Sequence, residues 1–358
     1  MTFDLASLGW DDAYAAVFAP VNRADARPGR VTRVDRGACT VISPNGAERA
    51  TFAGTLLAAA RRDPVALPCA GDWVVLRAWP DRRTTVEGVL PRRTAIVRSA
   101  AGTTSHQQIL AANLDAAAVV EPVDPEPDLG RIERMLSLAW ASGAQPLVIL
   151  TKCDLAADPA AIAAQIGEIA PRTPVYAVST VTGDGLERLR PFVAPGRTLG
   201  LIGRSGAGKS SLVNALAGAT VMGTQEIRRM DGRGRHTTTY RALIPIPGGG
   251  AVLDTPGLRG VGLGVDDTID GLDAAFDDVA TLAARCQFGD CRHLGEPGCA
   301  VADALAVGEL TNRRLESWQR LHREIAVETR RNDVRRMADE RARWKRKAQA
   351  QRPRGVRP

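Results

Sequence analysis

Residues 199–211 read LGLIGRSGAGKSS and set Gly203, Gly208, Lys209 and Ser210 at the spacing G-x-x-x-x-G-K-[ST]. That pattern suits a chain of phosphates. Backbone N–H groups converge on an anion only where no side chain blocks the approach, so the turn Gly203-Arg204-Ser205-Gly206-Ala207-Gly208 is built largely from glycine and small residues. Lys209 is expected to reach the β- and γ-phosphates, and Ser210, followed by Ser211, to offer its hydroxyl to Mg²⁺. An apolar run (198–202) precedes the loop and a helix-compatible run (211–218) follows it. Strand, loop and helix in that order separate this motif from a chance glycine-rich turn.

A second set of residues is suited to reading a base. The apolar run 146–150 ends in Thr151-Lys152-Cys153-Asp154. A carboxylate at such a strand end can accept both the ring N1–H and the exocyclic N2–H₂ of guanine, a donor pair adenine lacks. Asp154 is expected to read the base while the stem of Lys152 covers its face. The run PVYAVST (174–180) ends in hydroxyl residues, and backbone amides around Ser179 are expected to approach the same base.

Two further stretches suit the far end of a nucleotide. Residues 232–239, GRGRHTTT, have no apolar period and can order around Mg²⁺ and a γ-phosphate through one threonine. The stretch resembles the switch of a GTPase, and that resemblance makes Thr238 the choice, with Thr237 and Thr239 as rivals. The strand 250–253 leads into Asp254-Thr255-Pro256-Gly257, where Asp254 is expected to hold Mg²⁺ through water and the Gly257 amide to sense the γ-phosphate. Leu258 follows, at the position where Ras-like GTPases, which this motif resembles, carry the glutamine that orients the attacking water. A leucine cannot do so, and slow intrinsic turnover is expected; His236 is a candidate for placing water.

Cys286, Cys291, His293 and Cys299 form C-x₄-C-x-H-x₅-C among several glycines. Three thiolates and an imidazole make a closed tetrahedral site for one structural Zn²⁺. A disulfide framework is not expected in the cytoplasmic protein that this sequence suggests. Cys39, Cys69 and Cys153 stand alone.

The elements that must hold these residues follow from pattern. Between about Arg27 and Val97 lie short strands with turn signals: GRVTRV, ACTVIS, ERATFAG, GDWVVLRAW, TTVEGVL and AIVRS. They suggest a small β-barrel or sandwich. Arg30, Arg33, Arg36, Arg82, Arg83, Arg92 and Arg93, with Phe52, Trp73 and Trp79, give it the composition of an oligonucleotide-binding fold, although Trp73 alternates with apolar neighbours and reads as core. The strand LDAAAVVEP, an amphipathic helix at 129–142 and the later strands alternate as a parallel α/β sheet does, with ligands at the carboxyl ends. Leu5, Leu8, Trp10, Tyr14 and Phe18 form a stripe suited to packing. A helix begins near Thr311, with Leu315, Trp318, Leu321, His322 and Ile325 on one face. Residues 341–358 then carry eight Lys+Arg and no acid, a tail expected to lack structure until it meets RNA.

Charge is uneven along the 358 residues. Residues 21–100 carry +7 and 300–358 carry +8, whereas 1–20 and 101–299 are acidic. Basic flanks around a phosphate-loop core point to a polyanion. No apolar run approaches the roughly 18 residues that cross a bilayer, so no membrane partner is expected.

The motifs occur in the order TKCD, Ser179 loop, phosphate loop, threonine switch, DTPG, whereas Ras-like GTPases begin with the phosphate loop and end with base recognition. With a basic β-domain before and a cysteine cluster after, the chain resembles the circularly permuted, ribosome small-subunit-dependent GTPase A family (RsgA/YjeQ). The resemblance implies a multidomain α/β architecture: an OB-like barrel (23–98), a permuted Ras-like phosphate-loop domain with a mostly parallel sheet (99–262), an α-helical zinc-binding domain (263–345) and a basic tail (346–358). It also implies GTP with Mg²⁺ bound by residues 151–154 and 203–211, one structural Zn²⁺, 16S rRNA and the small ribosomal subunit as partners, and a monomeric GTP hydrolase acting in late subunit assembly. Thr151 and Thr180 stand where many GTPases carry Asn and Ala; both are small, and guanine selectivity is expected to survive. The alternative, a phosphate-loop kinase or transferase with a small-molecule acceptor, leaves TKCD, the basic flanks and the cysteine cluster unexplained.

Overall fold

The computed structural model describes residues 4–99, 107–222, 241–255, 262–263 and 268–350. Near the N-terminus Asp11 caps a short helix α1 (Asp12–Phe18) by accepting from the Tyr14 amide. Its apolar stripe packs as expected, with Leu5, Leu8, Tyr14 and Phe18 buried. Trp10 meets Trp73 edge-on at 4.9 Å.

Five strands close the barrel: β1 (Ala26–Asp35), β2 (Ala38–Ser43), β3 (Gly46–Phe52), β4 (Trp73–Ala78) and β5 (Thr84–Val89), with helix α2 (Gly54–Ala60) between β3 and β4. β1 pairs with both β2 and β4, and β3 and β5 complete the circuit, so no barrel edge is left open. Alternate residues face inward; Val31, Val41, Ala50, Val74, Leu76 and Val86 fill the interior. The strand AIVRS is formed but lies outside this circuit. As β6 (Ala95–Ser99) it pairs with β7 (Gln107–Ala112), because Asn113 and Thr94 bond across the junction and turn the chain away from the barrel.

A parallel sheet follows: β8 (Ala116–Pro122), β9 (Gln145–Thr151), β10 (Val175–Ala177), β11 (Thr198–Ile202), with β12 (Ala242–Pro245) and β13 (Ala251–Asp254) completing it. The order is β10-β9-β8-β11-β13-β12, and only β12 runs antiparallel. β12 also pairs with β1, Arg33 opposite Ala242, so the sheet continues into the barrel. A two-residue strand β14 (Gly262–Leu263) adds to β6.

Three helices pack on this sheet: α3 (Leu129–Ala141), capped by Asp128; α4 (Pro159–Ile169), capped by Asp158; and α5 (Lys209–Ala217). Between β10 and β11 the chain forms a 3₁₀ segment (Leu186–Val193), with Pro191 inside it. The last part is helical: α6 (Thr268–Ala275), α7 (Asp277–Ala283), α8 (Ala300–Ala306) and α9 (Asn312–Ala350). α9 runs five residues past 345, so the stretch expected to lack structure is helical as far as Ala350, and 351–358 lie outside the described residues. Its last turns hold Lys, Arg, Ala and Gln, all good helix formers, and no Pro or Gly occurs before Pro353.

Arg30 also departs from expectation. It is buried, and its guanidinium donates to Leu8 O (2.8 Å), Asn113 O (2.9 Å) and Thr198 Oγ1 (3.3 Å), tying the N-terminal segment, the barrel and β11 together. Burial holds its pKa down at about 10, so it stays charged. Arg92 is similarly committed, forking onto buried Asp72, and Arg93 grips Asp11. These three serve the junction; Arg36, Arg82 and Arg83 stand exposed on the barrel.

Candidate functional site

β11 lies between β8 and β13 with every residue buried, and the chain leaves its carboxyl end as the phosphate loop. Gly203 passes so close to β8 that a Cβ there would stand 2.5 Å from Val120 O. Gly206 and Gly208 both adopt φ +84°, the left-handed region that exposes successive amides. α5 starts at Lys209, with Ser210 half-buried in its first turn.

Lys209 is buried and donates from Nζ to Gly203 O (2.8 Å) and Arg204 O (2.9 Å), curling over its own loop. Burial lowers its pKa, and the charge of Asp254 opposes the shift. Asp254, at the end of β13, is only 2% exposed, and its Oδ1 has no hydrogen-bond partner among the described residues. Burial raises its carboxyl pKa, with Lys209 pulling the other way. Thr255 is pinned beside it by a 2.6 Å bond from its hydroxyl to Leu201 O. A buried carboxylate oxygen without a partner is costly, and a cation with its waters satisfies it. Together with the glycine cradle, that orphaned oxygen fits the site to a Mg²⁺-bound polyphosphate.

The residues of the TKCD segment stand alongside. Thr151, buried at the end of β9, donates from Oγ1 to Ala207 O at 2.7 Å. A Cβ on Gly208 would come within 3.2 Å of the same hydroxyl, so the two motifs touch. Lys152 takes φ +60°, and Cys153–Leu155 form a 3₁₀ turn that presents Asp154. Asp154 Oδ1 accepts from Ser179 Oγ at 2.6 Å. Ser179 is held in turn, because Val181 and Thr182 amides donate to its hydroxyl at 3.2 Å each. The Ser179 amide itself donates to Asp184 O, so this residue orients the Asp154 carboxylate through its side chain.

Thr238, His236 and Gly257, together with Thr237, Thr239 and Leu258, lie outside the described residues. One buried acid beside the loop was not singled out from the sequence. Glu121, in the apolar run of β8, lies beneath the phosphate loop, paired with Arg131 of α3 and 3.9 Å from Arg204 Nε. A charged residue inside a strand otherwise read as buried was the available signal.

Cys286, Cys291, His293 and Cys299 come together, their ligand atoms all within 4.8 Å of one another. His293 Nδ1 is 3.6 Å from both Cys286 Sγ and Cys299 Sγ, and those sulfurs are 4.0 Å apart. A tetrahedral ion bonded at about 2.0–2.3 Å has edges of that size. Glu296 organises the loop by accepting from the Arg292 (3.0 Å) and Leu294 (2.7 Å) amides, and the Ala302 amide donates to Cys299 Sγ at 3.3 Å. The cluster fits one metal ion with a structural role.

Comparison with known proteins gives a consistent picture. The RsgA GTPase family profile matches residues 89–264. A Streptomyces coelicolor protein described as small ribosomal subunit biogenesis GTPase RsgA is 49% identical over 346 residues, covering 96% of this chain and 92% of that one. Its Opitutus terrae namesake is 43% identical and covers 98% and 97%. Among solved structures, YjeQ from Thermotoga maritima superposes with a TM-score of 0.62 at 26% identity, over 84% of this chain and 99% of that one. YloQ, described as a circularly permuted GTPase, gives 0.57 at 25%, over 85% and 96%.

Proposed function

Since this chain belongs to the RsgA GTPase family, we propose a working cycle in which the permuted domain times attachment to the small ribosomal subunit. The protein is a GTPase, a hydrolase of GTP acting in small-subunit maturation. One observation supports this reading of the site above the others: Thr151 donates to the phosphate loop at Ala207 O, so the TKCD segment and the glycine-rich loop are direct neighbours.

In this reading the Gly203–Ser210 amides and Lys209 bind the phosphates, and Asp154, held by Ser179, accepts from the guanine edge. Lys209 exchanges the two carbonyls it now contacts for phosphate oxygens. Ser210 and Asp254 hold Mg²⁺, with Thr238 as the switch ligand and Gly257 as the γ-phosphate sensor. Mg²⁺, when bound, neutralises charge on the β- and γ-oxygens. Arg204, Ser205 and Ser211 complete the loop, and Lys152 and Cys153 flank the base. His236 is the candidate for placing water, since Leu258 cannot.

The remaining assignments share that basis. Zn²⁺ is the ion of choice for the Cys₃His cluster, which suits a domain with little core of its own. The exposed barrel arginines and the basic helix α9 grip 16S rRNA. The domain division is 23–98, 99–262 and 263–345. The protein works as a monomer in the cytoplasm, and no helix among the described residues is long and apolar enough to cross a membrane.

Equilibrium titration with fluorescent GTP and ATP analogues in the presence of Mg²⁺ tests the site. GTP is expected to bind at least about 100-fold tighter, as two lost hydrogen bonds to a charged group imply. Equal affinities would remove Asp154 from base recognition.

A further inference from the structure

Helix α3 joins the phosphate loop to the C-terminal helix through two buried carboxylates. At its first turn Arg131 holds Glu121, which has no exposed side-chain surface and sits under the loop residue Arg204. The Arg131 fork engages both Glu121 oxygens. Among the described residues Arg204 Nε makes no hydrogen bond and meets Glu121 at 3.9 Å.

Two residues along α3, Glu133 is equally buried and reaches the other way. Its Oε1 accepts from Arg313 (2.9 Å) and Arg314 (2.8 Å), and its Oε2 from Arg313 (3.1 Å) and Ser317 (2.6 Å). All three partners lie in the first turns of α9. Arg134 adds Glu324 at 2.6 and 2.5 Å. The rest of α3 is clamped by α6: a methyl built on Gly271 would stand 2.6 Å from Ala141 N, Ala141 Cβ and Ser137 O. Nothing there yields easily, because two of those atoms are backbone.

We propose that α3 is a strut coupling α9 to the phosphate loop, with Glu133 and Arg313 as positioning residues for subunit-stimulated hydrolysis. A load on the basic helix moves α3 through Glu133, and Arg131 carries that movement to Glu121 and Arg204. Neither Glu133 nor Arg313 approaches the nucleotide residues, so they act on turnover only through the strut. The inference rests on the proposed function, in that subunits must stimulate hydrolysis of the unaltered protein.

The test compares full-length protein with Arg313→Gln and Gly271→Ala, measuring GTP turnover against concentration of small subunits. Arg313 is part-exposed, so its variant opens one side of the Glu133 contact while Arg314 remains paired with Asp278. Gly271→Ala inserts a wedge between α6 and α3. Turnover without subunits is expected to stay at the wild-type level, while kcat at saturating subunits falls by at least about fivefold, the low end of typical couplings between sites. A rise only in the subunit concentration needed for half-stimulation, with kcat unchanged, overturns the strut and leaves a docking contact. Absence of stimulation in the wild type instead defeats the proposed function itself.

Discussion

The hydroxyl of Thr151 donates a 2.7 Å hydrogen bond to the carbonyl of Ala207, joining residues 56 positions apart in the chain. This threonine ties the TKCD segment at the end of β9 to the phosphate loop. Thr151→Val keeps the shape and leaves the Ala207 carbonyl unpaired, a change that costs about 1–3 kcal/mol. GTP affinity is expected to fall by roughly 5- to 100-fold with little change in overall fold. Affinity at the wild-type level would show that the contact does not position the loop.

Asp154→Asn replaces an acceptor-only group by one that also donates. Ser179 Oγ still has an oxygen to bond, so the turn is expected to survive. GTP binding should weaken by about 10- to 100-fold, the worth of a hydrogen bond to a charged group, while xanthosine triphosphate gains. Competition titration with both nucleotides checks the exchange; parallel losses for both would contradict it.

The nucleotide-free site should be electrostatically unfavourable. Burial raises the Asp254 pKa above its ordinary 3.8. A raised folded value favours folding below pH 3.8 and loses that contribution as pH rises through the folded value, so at neutral pH the ionised carboxylate opposes folding. Asp254→Asn should therefore melt higher than wild type at pH 7.5 without nucleotide, by roughly 2–4 °C for each 1 kcal/mol relieved. The difference should shrink as the buffer approaches pH 4, and Mg²⁺-GTP should no longer stabilise the variant fully. A lower Tm at pH 7.5 would mean that Lys209 compensates the charge in the empty site.

Metal removal should act locally. Chelation, or Cys286→Ser, is expected to release one ion per chain and to open 286–299 to protease, because that loop is held by its ligands and by Glu296. GTP binding should persist, since β8, β9, β11 and β13 lie elsewhere. Elemental analysis and limited proteolysis measure both effects, and an unchanged cleavage pattern in the metal-free protein would contradict a structural role.

Legibility followed distance along the chain. The phosphate loop, TKCD and the cysteine cluster are contiguous, and their chemistry depends on local spacing, so the sequence pointed to the residues the fold brings together. Arg30 shows the opposite case. Its place among basic barrel strands suggested phosphate binding, and only the folded junction reveals it as a buried tie between Leu8, Asn113 and Thr198. β6 looked like a barrel strand because pairing partners cannot be read from a short apolar run; its partners are β7 and β14. Glu121 and Glu133 were hidden for a related reason, since each is satisfied by arginines brought near only by packing.

The measurement closest to the central claim is GTP hydrolysis by the purified protein with and without small ribosomal subunits, with large subunits and ATP as controls. Turnover is expected to be slow alone and strongly stimulated by small subunits only, with GTP as the substrate. Fast turnover that ignores subunits, or a preference for ATP, would contradict it.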